Sequence, residues 1–250
     1  MFSLRDRIAL VTGAGNGIGR AIAIAYARAG AHVVVAGRNP ETLGQVAAEV
    51  RAAGREALAC PVDVRNVAAV RAMVDQAVGR FGRLNILVNN AGLINRVPSL
   101  DETEEAWDAV IQTNVKGLFF CCQAAGAHMI PKRRGTIINL ASIFSLAASP
   151  ERTAYGASKA AVMQITKTLA VEWAPHNLRV NALAPGATRT PTREVTLGDP
   201  ARLQVLVPRY PLGRIADPDD MVGAALFLAS DASAFVTGQT IFVDGGYTVA

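Results

Sequence analysis

Short uninterrupted apolar runs alternate, from one end of the chain to the other, with segments whose apolar positions recur at helical spacing. Ile8-Ala-Leu-Val-Thr12, His32-Val-Val-Val-Ala36, Glu56 to Pro61, Asn85-Ile-Leu-Val-Asn89, Gly135-Thr-Ile-Ile-Asn-Leu140, Leu178-Arg-Val-Asn-Ala-Leu183 and Thr240-Ile-Phe-Val243 read as seven strands. Helices are expected to about Ala29, over Glu41 to Ala53, Asn66 to Phe81, Glu102 to Met129 and Thr153 to Trp173, and from Asp217-Pro218 to about Ala229. In the last of these an N-cap aspartate precedes a proline at the first helical position. The segment from Pro185 to about Ala216 reads as loop-rich. Strands apolar throughout, each separated by a helix, imply a sheet covered on both faces. The expected fold is α/β: a doubly wound, Rossmann-type, mostly parallel seven-stranded sheet with helices on both faces. No linker, repeat or low-complexity tract divides residues 1–250, which read as a single domain.

Composition narrows the field. The chain has 250 residues, a formal charge of +5 and 51% hydrophobic residues. That is ample for a sizeable core. Met1 to Leu10 hold no long apolar run behind a basic start, so no secretory signal is expected. Nor does any stretch approach the roughly 20 uninterrupted apolar residues of a membrane span. The three cysteines, Cys60, Cys121 and Cys122, lack metal-ligand spacing and read as reduced core thiols, which points to the cytoplasm. Arginines are scattered among acidic residues, and the densest basic cluster is only Lys132-Arg133-Arg134. A nucleic-acid footprint would be concentrated and interleaved with aromatics, so no nucleic-acid partner and no membrane partner is expected.

The first strand ends in Thr12-Gly13-Ala14-Gly15-Asn16-Gly17-Ile18-Gly19 and runs straight into a helix. Glycines permit a tight turn and a close phosphate approach, and the helix N-terminus offers free N–H groups. A strict G-x-G-x-x-G pattern fails, because Ile18 and Arg20 stand where its last glycine would fall. The strand–turn–helix context nevertheless points to a dinucleotide. At the end of the second strand an acid would hold the ribose 2′-OH of NAD. Here Gly37-Arg38-Asn39 stands there, and an arginine suits the 2′-phosphate of NADP. NADP is therefore favoured over NAD.

Taken in order, Thr12-Gly13-x-x-x-Gly17-x-Gly19, Asn89-Asn90-Ala91-Gly92, Asn114, Ser142, Tyr155-x-x-x-Lys159 and Pro185-Gly186 resemble a classical short-chain dehydrogenase/reductase over essentially the whole chain. The closing Val243-Asp244-Gly245-Gly246 also fits. The resemblance implies that Gly13, Asn16, Gly17, Ile18 and Gly19 hold the cofactor's pyrophosphate side, and Arg38 its 2′-phosphate. It places Asp63 and Val64 at adenine, and Asn90, Ala91 and Gly92 along the adenine ribose. It also puts Pro185 to Thr190, including Gly186, Thr188 and Thr190, over the nicotinamide. Thr188 stands where an aliphatic residue is usual, and Asn16 lacks the basic side chain frequent in NADP-using relatives. Residues from about 185 to 216 would form a substrate lid. The family commonly forms homotetramers, here through the helices around Phe119 to Cys122 and Ala157 to Ile165.

Tyr155 and Lys159 lie four apart in a helical segment, on one face. A tyrosine with a pKa near ~10 is a poor base at neutral pH. A nearby ammonium, together with the positive nicotinamide, is expected to lower that value. Ser142 would hydrogen-bond the reacting oxygen of a carbonyl/alcohol pair. Asn114 would hold a water joining Lys159 to solvent, and Lys159 would also meet the nicotinamide ribose. No G-x-S-x-G is present and no His/Cys/carboxylate cluster has metal spacing, so hydrolase and metal chemistry are not expected. A catalytically silent dinucleotide-binding protein would have lost Tyr155, Lys159 or Ser142. Arg96, Arg152, Arg189, Arg193, Arg202 and Arg209 suggest clamps for a carboxylate, and Leu93-Ile94-Asn95-Arg96 is similar to the same stretch in the family's sugar-acid dehydrogenases. A sugar acid is thus the expected substrate, with a neutral polyol or a 3-oxoacyl thioester as alternatives.

Overall fold

The seven apolar runs assemble side by side because none exposes a polar face. They form β1 (Ile8–Thr12), β2 (His32–Gly37), β3 (Ala57–Pro61), β4 (Ile86–Asn89), β5 (Gly135–Leu140), β6 (Leu178–Pro185) and β7 (Thr240–Val243). The computed structural model describes residues 2–193 and 197–250. Strand order is β3-β2-β1-β4-β5-β6-β7, and every pairing is parallel. The sheet is therefore parallel throughout rather than mostly so.

Helices α1 (Gly17–Arg28) and α2 (Pro40–Ala52), with the later helix Val222–Ala229, cover one face. Helices α3 (Val67–Phe81), α5 (Leu118–Met129) and α6 (Thr153–Trp173) cover the other. Cys60, Cys121 and Cys122 are buried in that second layer as free thiols, as expected. Burial pushes Cys60 up to about 11 and Cys121 up to about 12, so neither is a ready thiolate. Among the described residues, no helix is long and apolar enough to cross a membrane.

Three helical boundaries differ from the sequence-based expectation. Glu102 to Met129 is not one helix but α4 (Glu104–Ile111), a π-helical segment Gln112–Gly117 and α5. Thr103 sets the start, its hydroxyl accepting from the Ala106 N–H at 3.2 Å. In the wider π turn Asn114 faces the interior, while Gly117 is pressed onto the loop after β3. A Cβ there would lie 2.9 Å from the Val64 carbonyl oxygen. Second, Pro218–Met221 winds as a 3-10 turn before the α-helix Val222–Ala229 begins. Third, the loop-rich segment carries the helix Pro200–Leu206, capped by Asp199, between 3-10 turns at Pro191–Arg193 and Val207–Arg209. Part of the expected lid, residues 194–196, lies outside the described residues.

Tyr26 of α1 is fully buried, and its hydroxyl donates to the Ala225 carbonyl at 2.9 Å, tying α1 to the helix Val222–Ala229. Losing a buried partner while its acceptor stays dry costs about 1–3 kcal/mol. Tyr26→Phe should lower unfolding free energy by that amount in denaturant titration. An unchanged midpoint would show that the contact contributes nothing.

Candidate active site

Because β1 lies between β2 and β4, the chain leaves it in opposite directions, and a crevice opens beyond the carboxyl ends of the strands. A cavity of about 910 Å³ occupies that position. It gathers the turn after β1, the ends of β2, β3, β4, β5 and β6, and the 185–216 segment.

At the cofactor half, the glycine turn is held from behind. Asn90 Nδ2 donates to the carbonyls of Thr12 and Gly13, at 3.1 and 2.9 Å, and the Asn90 and Ala91 N–H groups both donate to Thr12 Oγ1. Gly13 has φ +63°, and a Cβ on it would lie 2.8 Å from Asn90 Nδ2. A Cβ on Gly19 would lie 2.3 Å from the Gly13 carbonyl oxygen, so α1 packs onto the turn only without one. Asn16 makes no side-chain cap, and the first turn of α1 holds no acid. The leading N–H groups of α1 thus face the cavity mouth without a side-chain acceptor, which suits a pyrophosphate. Arg38 stands exposed on the rim, with no ion pair among the described residues, while Asn39 is spent on capping α2. Asp63 is engaged by Arg65, whose guanidinium holds the carboxyl below the usual carboxylate range. Arg65 went unnoticed in the sequence, where nothing marked it apart from other arginines.

At the reacting centre, Ser142 follows β5 and accepts from the Phe144 N–H, starting a short 3-10 turn. The next residue of that cap, Ser145, donates to the Lys159 carbonyl at 2.9 Å, binding β5 to α6. The Tyr155 ring meets Phe144 edge-on at 6.2 Å. Lys159 is 5% exposed, its Nζ donates to the Leu140 carbonyl at 2.6 Å, and it lies 5.8 Å from the Tyr155 ring centre. A Cβ on Gly92 would lie 3.8 Å from Lys159 Nζ and 3.4 Å from Asn114 Oδ1, so the bare glycine keeps this space open.

Of the residues anticipated for the site, Gly13, Asn16, Gly17, Ile18, Arg38, Asp63, Val64, Asn90, Ala91, Gly92, Ser142, Tyr155, Lys159, Pro185, Gly186, Thr188 and Thr190 line the cavity. Gly19 and Asn114 do not. Gly19 stands behind the turn, and Asn114 sits one layer deeper. There its Oδ1 accepts from Leu93 N–H at 2.7 Å, and its Nδ2 donates to the Leu93 carbonyl and Ser158 Oγ at 2.8 and 3.0 Å. Thr190 roofs the turn, so that a Cβ on Gly17 would lie 2.9 Å from its Cγ2. Buried Thr188 forms an isolated parallel bridge with Ala216. Tyr210, in the expected lid and unremarkable in the sequence, accepts from the Ala187 N–H at 2.8 Å and packs on Tyr247.

Two electrostatic expectations change. Tyr155 starts from a raised value, since burial lifts it and the opposing effects of the Ser142 hydroxyl and then of the Arg193 and Arg152 charges do not overcome burial. The lowering expected beside an oxidised nicotinamide would have to come from that cofactor's charge. The phenol rests protonated. The arginines are also unequal. Arg96 is paired with Glu151, and Arg189 does not line the cavity. Arg152 donates to the Asn95 carbonyl at 2.6 Å, and Arg193 has no ion pair among the described residues. Burial, then the charges of Arg193 and Arg96, lower Arg152. The substrate half of the cavity thus holds positive charge in excess.

A family model described as Enoyl-(Acyl carrier protein) reductase matches residues 13–248. A 2-dehydro-3-deoxy-D-gluconate 5-dehydrogenase of Escherichia coli is 42% identical over 98% of this chain and 97% of its own length. A 3-oxoacyl-(acyl-carrier-protein) reductase of Thermotoga maritima is 39% identical over 98% and 99%. The crystal structure of a gluconate 5-dehydrogenase from Burkholderia cenocepacia, in complex with NADP and tartrate, is 42% identical with a TM-score of 0.96, covering 100% and 98% of the two chains. The chain belongs to the short-chain dehydrogenase/reductase family and is an oxidoreductase of that class.

Burial holds Lys159 down at about 8 instead of 10.5. Between those values the unfolded chain binds more protons than the folded one, so this group's contribution to stability rises with pH through that window and is flat below it. At about 1.4 kcal/mol per pKa unit the whole span is roughly 3 kcal/mol. Relative to Lys159→Met, the parent should gain stability as pH climbs from about 8 towards 10. A difference that stays constant across that range in denaturant titrations would contradict the burial account.

Proposed function

We propose that the chain interconverts a secondary alcohol and a ketone on a small hydroxylated acid of the gluconate kind, with NADP preferred to NAD. The carrying observation is the pair Arg152 and Arg193, whose charges act on the Tyr155 phenol in a cavity half rich in arginine. A carboxylate is the complement of such a surface. The reading gains support from the relatives described as gluconate-type dehydrogenases, and from a neighbour holding NADP and tartrate.

When bound, the nicotinamide cofactor supplies or accepts the hydride. The turn Gly13 to Gly19 and the first N–H groups of α1 hold its pyrophosphate, Arg38 its 2′-phosphate, and Asp63 and Val64 border its adenine. Asn90, Ala91 and Gly92 lie along its ribose, and Pro185, Gly186, Thr188 and Thr190 cover its nicotinamide. Ser142 Oγ donates to the substrate oxygen and fixes it beside Tyr155 Oη, which gives or takes the proton. Lys159, near 8, is close enough to neutrality to relay that proton and, when charged, favours phenolate. Asn114 acts as a positioning residue that holds Leu93, and with it the opening at Gly92, against Lys159 and the proton path.

One domain carries all of these steps, with residues of about 185–216 as its lid. Half-buried Phe119 and Phe120, on α5, support assembly as a homotetramer, which light scattering reads directly, and the buried free thiols fit a cytoplasmic location.

Removing one charged hydrogen-bond partner costs about 1.5–3 kcal/mol, or roughly ten- to a hundredfold in affinity. Arg38→Ala should weaken NADP binding by that factor and leave NAD binding nearly unchanged; equal parental affinities would refute the preference. Arg193→Ala and Arg152→Ala should lower kcat/KM for gluconate-type acids by a similar factor beyond whatever loss they cause for uncharged sugars, which feel only the change at Tyr155. Neutral polyols or 3-oxoacyl thioesters turned over faster than acids, with ratios insensitive to either arginine, would overturn the substrate.

A further inference from the structure

The Lys132-Arg133-Arg134 cluster takes no part in the chemistry proposed above. It lies just beyond α5, and its turn is clamped. The Lys132 N–H donates to the Met129 carbonyl at 3.1 Å, and the Arg133 N–H to that of Ile130 at 3.0 Å. Arg133 has φ +48°, and its carbonyl accepts from Asn177 Nδ2 at 3.0 Å. Lys132 and Arg134 thereby line a second cavity of about 460 Å³, while Arg133 does not. This cavity lies at the amino ends of β1, β4 and β5, at the opposite edge of the sheet from the active site.

Further cations converge on it. Arg5 and Arg7 precede β1 and Arg83 precedes β4, while the His128 ring on α5, also in the lining, is taken up by Asp75 at 2.9 Å. Their charge is poorly compensated. Asp231 receives Arg7 at 2.7 Å and is also acted on by Arg134, so one carboxylate answers two guanidinium groups of the lining. Arg83 donates to the Asp6 main-chain carbonyl at 2.7 Å, not to a carboxylate. Arg5 and Lys132 make no ion pair among the described residues, and Asp6 is the lone acid of the lining.

We propose that this cavity binds a small phosphate-bearing molecule independently of the dinucleotide. Donors arriving from three separate chain segments suit the three oxygens and double charge of a phosphomonoester better than the two oxygens of a carboxylate. The volume falls at the small end of the ~300–1,000 Å³ typical of ligand sites, which fits a free phosphate or a sugar phosphate and not a nucleic acid.

Isothermal titration of the intact enzyme with inorganic phosphate, and separately with glucose 6-phosphate, tests this. An excess of whichever dinucleotide binds keeps the active-site turn filled. Saturable binding of either probe is expected, and stronger binding of glucose 6-phosphate would identify the sugar phosphate as the occupant. Lys132→Gln combined with Arg134→Gln should weaken binding about tenfold or more. Arg133→Gln, with the same change in net charge, should leave it unchanged. These three side chains are exposed, and Lys132→Gln alone serves if the double variant unfolds. No saturable binding, binding indifferent to Lys132 and Arg134, or equal weakening by Arg133→Gln would each overturn the proposal. The cations would then serve only the carboxyl ends of α3 and α5.

Discussion

The ammonium of Lys159 is a charge held in a dry place, and the active site is arranged around keeping it there. One carbonyl, that of Leu140 at the end of β5, accepts from it directly. Everything else acts by position. Gly92 puts no side chain beside Nζ, Asn114 holds the neighbouring Leu93 by two hydrogen bonds and Ser158 by a third, and Ser145 anchors the Lys159 carbonyl. The same helix, α6, carries Tyr155 one turn earlier. A lysine whose burial costs stability is hard to explain as scaffold, because an apolar residue would fill the position at lower cost. It is readily explained as a group kept close to neutrality for proton transfer.

Tyr155 experiences the opposite side of the same constraint. Burial that lowers a lysine raises a phenol, so the ligand-free chain holds a protonated tyrosine beside a lysine that titrates near 8. Positive charge arriving with an oxidised nicotinamide would tip that balance towards phenolate. The arginines extend this logic to substrate choice. Arg152 and Arg193 both favour the phenolate, and both are available to an anion, whereas Arg96 is already paired with Glu151. Charge in the cavity thus tunes the acid–base group and selects the substrate together.

Much of this was legible in the chain itself. The seven apolar runs, the glycine turn, and the Tyr155/Lys159 spacing depend on local rules, namely strand burial, backbone freedom and helical periodicity. What stayed hidden depends on contacts between distant segments. The π turn at Gln112–Gly117 arises where Asn114 meets Leu93 and Gly117 meets Val64, and neither contact has a local signature. The helix Pro200–Leu206 did have one, since Asp199-Pro200 repeats the cap-and-proline pattern of Asp217-Pro218. The pairing of Arg96 with Glu151, and the engagement of Asp63 by Arg65, separate arginines that composition alone treats as equivalent.

The most direct test of the central claim is the turnover of Tyr155→Phe, measured beside its dinucleotide dissociation constant. If Tyr155 Oη carries the proton, the variant should bind cofactor as the parent does and lose about 10²- to 10⁴-fold in kcat. Near-parental turnover with intact cofactor binding would contradict the account.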